Sequence, residues 1–292
     1  MSFAEAAAAL APGQALKIRD IEVQGAQDAL AARIYTAGVP GAKQASLIVF
    51  FHGGGFVDGD LDDADDFLRC LVLSNPDHIV LAANYTLAKV RPFPAAVEDA
   101  HAVLLWAKKN KSKLGWTGKQ MVVSGIEAGA NLAAVCAMMS RDRGGPPLAG
   151  QVLIMPMLDP GLSTCSMRSL PSCPDSAEVA DQCAAAYRGY LPNAADRSHP
   201  YASPLQSSRL KNLPPALILS SEDDPLRDEA EQYGSKLIAC GIKTTVRRMA
   251  AAPLQDAGAR NECACKVQVL GEIASFVAGL GLGLGQEPEP AS

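Results

Sequence analysis

The sequence has no excess of basic residues and no long uninterrupted apolar run. Its 292 residues include 26 Lys and Arg against 31 Asp and Glu, which gives a net charge of -5. This balance argues against nucleic acid or an anionic membrane as the main partner. The opening residues contain no Lys or Arg before their alanine run, unlike a secretory signal peptide. The longest apolar stretch near the C-terminus is interrupted by Gln268 and Glu272, so we expect no membrane-spanning helix.

Patterns typical of disulfides and metal sites are also missing. The 8 cysteines are spread along the chain, which is typical of reduced thiols and places this protein in the cytoplasm. Cys263 and Cys265 are close neighbours, but the sequence around them offers no further set of metal ligands. The aspartate-rich run 58–66 lacks the glycine and the closing glutamate of a calcium-binding loop. We expect instead that this run begins a helix, where acidic side chains suit the positive end of the dipole.

Short apolar runs alternate along the chain with stretches in which apolar residues recur at three-and-four spacing. Such runs are typical of strands buried on both faces and cover 45–51, 80–84, 121–124, 153–155 and 216–220. The helical stretches cover 95–110, 128–141, 227–240 and 262–280. An antiparallel pair over 18–24 and 30–35 precedes them, and 246–249 is a candidate last strand. This order predicts an α/β fold with a mostly parallel, doubly wound sheet.

One segment interrupts the alternation of strands and helices. Residues 161–205 contain a loop-like stretch, a possible helix over 177–190 and then Pro192, Pro200 and Pro204. An insertion of this length inside an α/β domain is more often a lid or cap than a plain loop. We therefore predict one domain over 1–292 with a cap at 161–205 and a flexible tail over 281–292.

A glycine-rich motif follows the first continuous apolar run. The sequence HGGGF at 52–56 stands directly after the strand predicted over 45–51. Three consecutive glycines at the end of a strand let the backbone turn sharply and direct its N–H groups at one point, as in the oxyanion hole of esterases. A plain glycine-rich turn is the alternative interpretation of this motif alone.

Other motifs follow in a fixed order. They are YTLA at 85–88, PFPAA at 92–96, GIEAGANL at 125–132, SPL at 203–205, LPPA at 213–216 and DPLRDE at 224–229. Together with HGGGF they resemble the hormone-sensitive-lipase branch of the α/β-hydrolases over about residues 18 to 280. The resemblance implies an eight-stranded sheet under a small helical cap built from 1–17 and 161–205. It also implies ester cleavage by a Ser-Asp-His triad, no metal or organic cofactor, and a homodimer.

The sequence departs from this family at the nucleophile. The family's turn reads G-D-S-A-G-G, with the serine at the tip of a strained strand-to-helix turn. The matching turn reads Gly125-Ile126-Glu127-Ala128-Gly129, so Glu127 stands at the nucleophile position. Ser124 precedes the turn on the predicted strand, from which its hydroxyl does not reach the tip.

The base is missing as well. Asp224 matches the triad acid, but the family's histidine position aligns best with Leu254, and the last histidine in the chain is His199. Without an imidazole no group takes the proton of a nucleophile or activates water. We expect Asp224 to accept backbone N–H bonds in its own loop. The remaining histidines are weak substitutes for the base, and they are His52 in the glycine motif, His78 in a predicted surface turn, His101 on a helix and His199.

The frame of the oxyanion hole remains. The resemblance assigns its donors to the N–H groups of Gly54, Gly55 and Ala128. Glu127 stands at the N-terminus of a predicted helix and faces donors that have no substrate oxygen to bind. A charged carboxylate beside unpaired N–H groups should accept their hydrogen bonds. We therefore predict a Glu127 carboxylate oxygen within about 2.7–3.2 Å of at least one of these nitrogens.

These departures lead to three hypotheses on function. The favoured one is a pseudoenzyme that binds a small apolar or ester-like ligand, or a protein partner, without turnover. The second is altered chemistry in which Glu127 attacks carbon, or acts as a base in an elimination or isomerisation. The third is a feeble carboxylesterase that relies on the oxyanion hole alone.

Overall fold

A computed structural model describes residues 14–39, 41–168, 176–250 and 257–282, and eight strands within these ranges form one sheet. The strands are β1 (Lys17–Gln24), β2 (Ala29–Thr36), β3 (Gln44–Phe51), β4 (His78–Ala83), β5 (Trp116–Ile126), β6 (Gly150–Ile154), β7 (Ala216–Ser221) and β8 (Thr244–Met249). Their order across the sheet is β1-β2-β4-β3-β5-β6-β7-β8. β1, β2 and β4 pair antiparallel, and all other neighbours pair parallel. The predicted eight-stranded, mostly parallel sheet is confirmed.

Helices cover both faces of the sheet. They are α1 (Asp65–Ser74), α2 (Ala95–Lys109), α3 (Lys111–Leu114), α4 (Ala128–Asp142), α5 (Cys165–Arg168), α6 (Ser176–Tyr190), α7 (Arg227–Ala239), α8 (Ala257–Ala264) and α9 (Val267–Leu282). One apolar cluster joins the sheet to α2, α4, α6 and α7, and a second joins the opposite face to α1, α8 and α9. Because each central strand has an apolar layer on both sides, its sequence is a continuous apolar run rather than an alternating one.

Two predictions about local structure need correction. The last helix, expected as one element over 262–280, is divided into α8 and α9. In the aspartate-rich run only Asp65 and Asp66 stand in the first turn of α1. The earlier aspartates lie in the loop before it, where Asp62 accepts a hydrogen bond from Arg33 at 2.7 Å. Asp62 therefore forms an ion pair with strand β2, and only Asp65 and Asp66 lie where the helix dipole favours an acidic side chain.

The parallel strands bring three loops to one edge of the sheet. β3 ends at Phe51, which pairs with Gly125 near the end of β5, and the glycine motif and Glu127 follow these two strands. β7 ends at Ser221, shortly before Asp224. The carboxyl ends of parallel strands form the usual binding edge of an open α/β sheet. This topology places the three motifs next to one another although they are up to 170 residues apart, counting from 54 to 224.

The segment 161–205 folds into α5, α6 and a 3-10 helix over Ala194–Ser198. Residues 169–175 of this segment, 1–13 of the predicted cap and 283–292 of the predicted tail lie outside the described residues. Over the described ranges, every helix is too short or too polar to cross a membrane.

Candidate active site

Glu127 occupies a sharp turn between β5 and α4. Its backbone has φ 54° and ψ -112°, a conformation that costs energy for a residue with a side chain. The turn is held in place because the Glu127 N–H donates to the Ile154 carbonyl at 3.0 Å and its own carbonyl accepts from the Met157 N–H at 3.1 Å. This is the geometry of a nucleophile elbow, which exposes one side chain at its tip. Glu127 stands at the tip of this turn.

The carboxylate of Glu127 is hydrogen-bonded to the glycine loop. Its Oε2 atom accepts from the Gly54 N–H at 2.6 Å and from the Gly55 N–H at 2.9 Å. These bonds are the ones that the sequence led us to expect, and they come from two of the three predicted donors. Ala128, the third, is buried at the start of α4. The Glu127 side chain is only 8% exposed, so a charged oxygen is buried against two backbone donors.

The glycine loop is held rigidly by its neighbours. Gly54 has φ 98°, a value that favours glycine, and its carbonyl accepts from the Asp58 N–H at 2.9 Å. The ring of Tyr85 stacks on His52 with centroids 4.5 Å apart, and the Tyr85 hydroxyl donates to the His52 carbonyl at 3.1 Å. His52 in turn donates from Nδ1 to the Gly53 carbonyl at 2.7 Å. His52 therefore braces the loop, and burial lowers its pKa.

Asp224 is paired with an arginine that the sequence analysis missed. Arg260 Nε donates to Asp224 Oδ2 and Arg260 Nη2 to Asp224 Oδ1, both at 3.0 Å. Asp224 Oδ1 also accepts from the Leu226 N–H at 3.0 Å, which is the backbone bond expected of it. Asp224 is 0% exposed and Arg260 is 3% exposed. A bidentate pair of this kind, fully removed from water, fixes both side chains.

The same guanidinium faces Glu127. Arg260 Nη1 lies 3.9 Å from Glu127 Oε1, the oxygen that the glycine loop does not use. Burial by itself lowers the pKa of the Arg260 guanidinium, but the Asp224 and Glu127 carboxylates outweigh it and raise the pKa above its ordinary value. Arg260 therefore stays charged between two carboxylates. The sequence does narrow the choice of a cationic partner from the last part of the chain. After Met249 it contains only two cationic side chains, Arg260 and Lys266.

The other predicted candidates lie elsewhere. Leu254, the vacated histidine position, is outside the described residues. His78 is the first residue of β4 and is partly buried, not in a surface turn. His101 Nε2 contacts the Gly145 carbonyl at 3.1 Å, and His199 Nδ1 accepts from the Tyr201 N–H at 3.1 Å. Over the described ranges, no group of three or more His, Cys, Asp or Glu side chains is arranged to hold a metal ion.

A second acidic residue of the DPLRDE motif is fully buried. Glu229 is 0% exposed, and its Oε1 atom accepts from the Leu158 N–H at 2.7 Å. Burial raises its pKa well above the usual value, and the Leu158 hydrogen bond only partly offsets this. Burial therefore favours the protonated form of Glu229 in the folded protein.

Glu229→Gln is expected to make stability less dependent on pH. The unfolded chain releases the Glu229 proton near pH 4.5 while the folded chain keeps it. This contribution to stability is complete below pH 4.5 and is lost as the pH rises through the raised pKa. Because glutamine does not titrate, the variant should gain on the wild type by about 1.4 kcal/mol per pH unit between pH 4.5 and the raised pKa of Glu229, and no further above it. Urea unfolding between pH 4 and 8 measures the difference, with Glu222→Gln at an exposed site as the control. Parallel stability curves would contradict it.

Comparisons with known proteins agree with the fold and with the motifs. Residues 48–254 match the family described as alpha/beta hydrolase fold. The chain is 36% identical to the esterase LipI of Mycobacterium tuberculosis over 237 residues, which cover 79% of this chain and 72% of LipI. It is 35% identical to the carboxylesterase NlhH of the same organism over 203 residues, which cover 67% of this chain but only 61% of NlhH.

A solved structure extends the likeness over nearly the whole chain. The esterase of Pyrobaculum calidifontis matches with a TM-score of 0.82 and 31% identity, over 97% of this chain and 89% of that one. Its sheet and helices therefore follow the same course as those described above. The chain belongs to the α/β-hydrolase fold family, among the esterases that resemble hormone-sensitive lipase.

Proposed function

We propose that this chain is a non-catalytic member of its esterase family, which binds a small ligand or a protein partner without turnover. The observation that carries the proposal is the position of Glu127 Oε2, 2.6 and 2.9 Å from the Gly54 and Gly55 nitrogens. Oxyanion-hole donors stand at about this distance from the oxygen that becomes negative in the reaction. The Glu127 carboxylate takes the place of that oxygen.

The hydrogen bonds of Glu127 oppose the binding of an ester. An ester carbonyl would have to displace a charged oxygen from two N–H groups, and each charge-assisted hydrogen bond contributes about 1.5–3 kcal/mol. The carbonyl oxygen is neutral in the ground state, so it recovers only part of that free energy. The bound carboxylate is therefore the stronger ligand of these donors.

Among the described residues, the side chain that pairs with Asp224 is an arginine and not a base. This residue is Arg260, and a guanidinium has donors only and does not lose its proton in proteins. It neither takes a proton from a hydroxyl nor activates water. This supports the proposal independently of Glu127, because deacylation needs such a base even where a nucleophile is present.

Helix α6 closes the space above the glycine loop. A Cβ atom added to Gly55 would lie 2.6 Å from the Ala186 Cβ, so the helix touches the loop. The Phe56 ring stacks on Tyr190 with centroids 3.8 Å apart, and both side chains are 0% exposed. A ligand that approached the loop from this side would therefore have to displace α6.

Chemistry through Glu127 is the competing function, favoured by its place at the tip of the elbow. Attack by a carboxylate on carbon gives an ester that must then be hydrolysed, which again requires an activated water. The ion pair with Arg260 and the two loop hydrogen bonds also engage both oxygens.

The homodimer and the cytoplasmic location stay predictions from the sequence.

The wild-type protein is expected to hydrolyse p-nitrophenyl acetate and butyrate no faster than Glu127→Ala. Neither protein has a nucleophile with a base, so both should give the same background rate. Release of p-nitrophenol measures it, with the Pyrobaculum calidifontis esterase as the positive control. A rate that depends on Glu127 would overturn the proposal. Intact-mass analysis after incubation with epoxides, alkyl halides and aryl esters adds a second check, because a stable adduct on Glu127 would support the competing function.

A further inference from the structure

The groups that face Glu127 form a complete receptor for a carboxylate. We propose that the space filled by the Glu127 side chain is a binding site for small aliphatic monocarboxylates of the size of acetate, with Glu127 as its tethered occupant. The inference rests on the proposed function, in which this carboxylate is a bound group and not a nucleophile. It assigns the site a class of ligand, an anion, that differs from a neutral ester.

Donor groups lie next to both oxygens of the Glu127 carboxylate. Gly54 and Gly55 donate to Oε2 at 2.6 and 2.9 Å, and Arg260 Nη1 lies 3.9 Å from Oε1. All belong to groups that other contacts hold in place. Tyr85 braces the loop through the His52 carbonyl, and Asp224 fixes the guanidinium through two bonds. The donors therefore keep their positions when the Glu127 carboxylate is removed, and such preorganisation favours binding.

The balance of charge selects an anion. Asp224 neutralises Arg260 through a bidentate pair, so loss of Glu127 leaves two N–H groups and one edge of the guanidinium without an acceptor. The neighbouring acids do not oppose an incoming anion. Burial raises the pKa of Glu229 well above its usual value and that of Cys183 to about 12, so burial favours the neutral form of both side chains. A neutral molecule of the same shape forms weaker hydrogen bonds with these donors.

The size of the site follows from the group that fills it. Replacing glutamate by alanine removes one methylene and one carboxylate, which is acetate less one hydrogen atom. Glu127 is 6% exposed, and the Ala186 side chain packs against Gly55, one of the two donors to its carboxylate. A longer acid has to displace this packing. Acetate and formate are thus expected to bind better than butyrate.

The experiment compares thermal unfolding of the wild type, Glu127→Ala and Glu127→Gln at pH 7 in sodium acetate and in sodium chloride of equal concentration. Acetate at ten times its Kd should raise the Tm of Glu127→Ala by about 3 °C above the chloride value. The wild type should show no such shift, because the Glu127 carboxylate already accepts from both N–H groups at 2.6 and 2.9 Å. Glu127→Gln should show none, because its amide fills the same space.

Two further measurements test the charge of the ligand and the part of Arg260 in binding it. Acetamide should give less than about a tenth of the affinity of acetate, since it lacks the charge. Glu127→Ala with Arg260→Lys, which keeps a charge but not the flat donor edge, should bind acetate more weakly than Glu127→Ala alone. Line broadening of 13C-labelled acetate gives the affinities without heating. If Glu127→Ala does not fold, Glu127→Ser takes its place.

The experiments distinguish failure of the carboxylate site from failure of the proposed function. An acetate shift that is equal in all three proteins, or missing in both Glu127→Ala and Glu127→Ser, would overturn the carboxylate site. The rate of p-nitrophenyl acetate hydrolysis by the same samples tests the proposed function separately. Glu127-dependent hydrolysis would defeat that function whatever acetate does, whereas loss of acetate binding alone leaves it standing.

Discussion

Arg260→Met is expected to lower the free energy of unfolding by about 3–5 kcal/mol. Arg260 is 3% exposed, and its guanidinium contacts Asp224 through two hydrogen bonds of 3.0 Å. Methionine preserves the apolar packing of the long side chain but leaves the carboxylates of Asp224 and Glu127 buried without a counter-charge. An uncompensated buried charge is more costly than the pair is stabilising. Equilibrium unfolding in urea, followed by circular dichroism, measures the loss.

A surface ion pair provides the matched control. Arg143 donates to the Glu98 carboxylate at 2.6 and 2.7 Å, with the two side chains 39% and 36% exposed. Arg143→Met should therefore cost less than about 1 kcal/mol. Arg260→Met combined with Asp224→Asn should recover part of the loss, because the second change removes one stranded charge. If Arg260→Met were as mild as Arg143→Met, the buried ion pair would have no structural role.

A rebuilt triad should hydrolyse esters best when Arg260 is removed together with Glu127. Glu127→Ser supplies a nucleophile at the elbow, and Leu254→His supplies a base at the position that the family alignment assigns. Glu127→Ser alone should restore little, and the double variant measurably more, since nucleophile and base act as a unit. Adding Arg260→Ala frees Asp224 to orient the new imidazole. We expect kcat/KM of the triple variant to exceed that of Glu127→Ser by about 100-fold.

The rate of p-nitrophenyl acetate hydrolysis compares these variants, and circular dichroism tests whether each of them is folded. Glu127→Ser with Arg260→Ala is the control, because it differs from the triple variant only in the missing base. Equal rates for Glu127→Ser and the triple variant would mean that position 254 does not reach Asp224, or that α6 keeps the substrate out. If the triple variant had the same kcat/KM as Glu127→Ser with Leu254→His, Arg260 would not compete with the imidazole for Asp224.

The strands, the elbow and the glycine loop are determined by local sequence. Continuous apolar runs such as 45–51 have one stable environment, a strand covered on both faces, and the parallel sheet follows from their alternation with helices. The contact between Glu127 and the loop was also predictable. It requires only that the ends of β3 and β5 lie side by side and that a charged side chain finds the nearest unpaired N–H groups.

The partner of Asp224 was decided by tertiary structure alone. Asp224 and Arg260 are 36 residues apart in the sequence, and α8 begins earlier and ends earlier than the helix predicted there. Periodicity reports which face of a helix is apolar, but it does not report which buried acid a long cationic side chain will reach. The same holds for α6, whose position on the glycine loop depends on how it packs against Phe56. Local sequence determines the backbone of this site, whereas long-range charge pairing and packing determine what fills it.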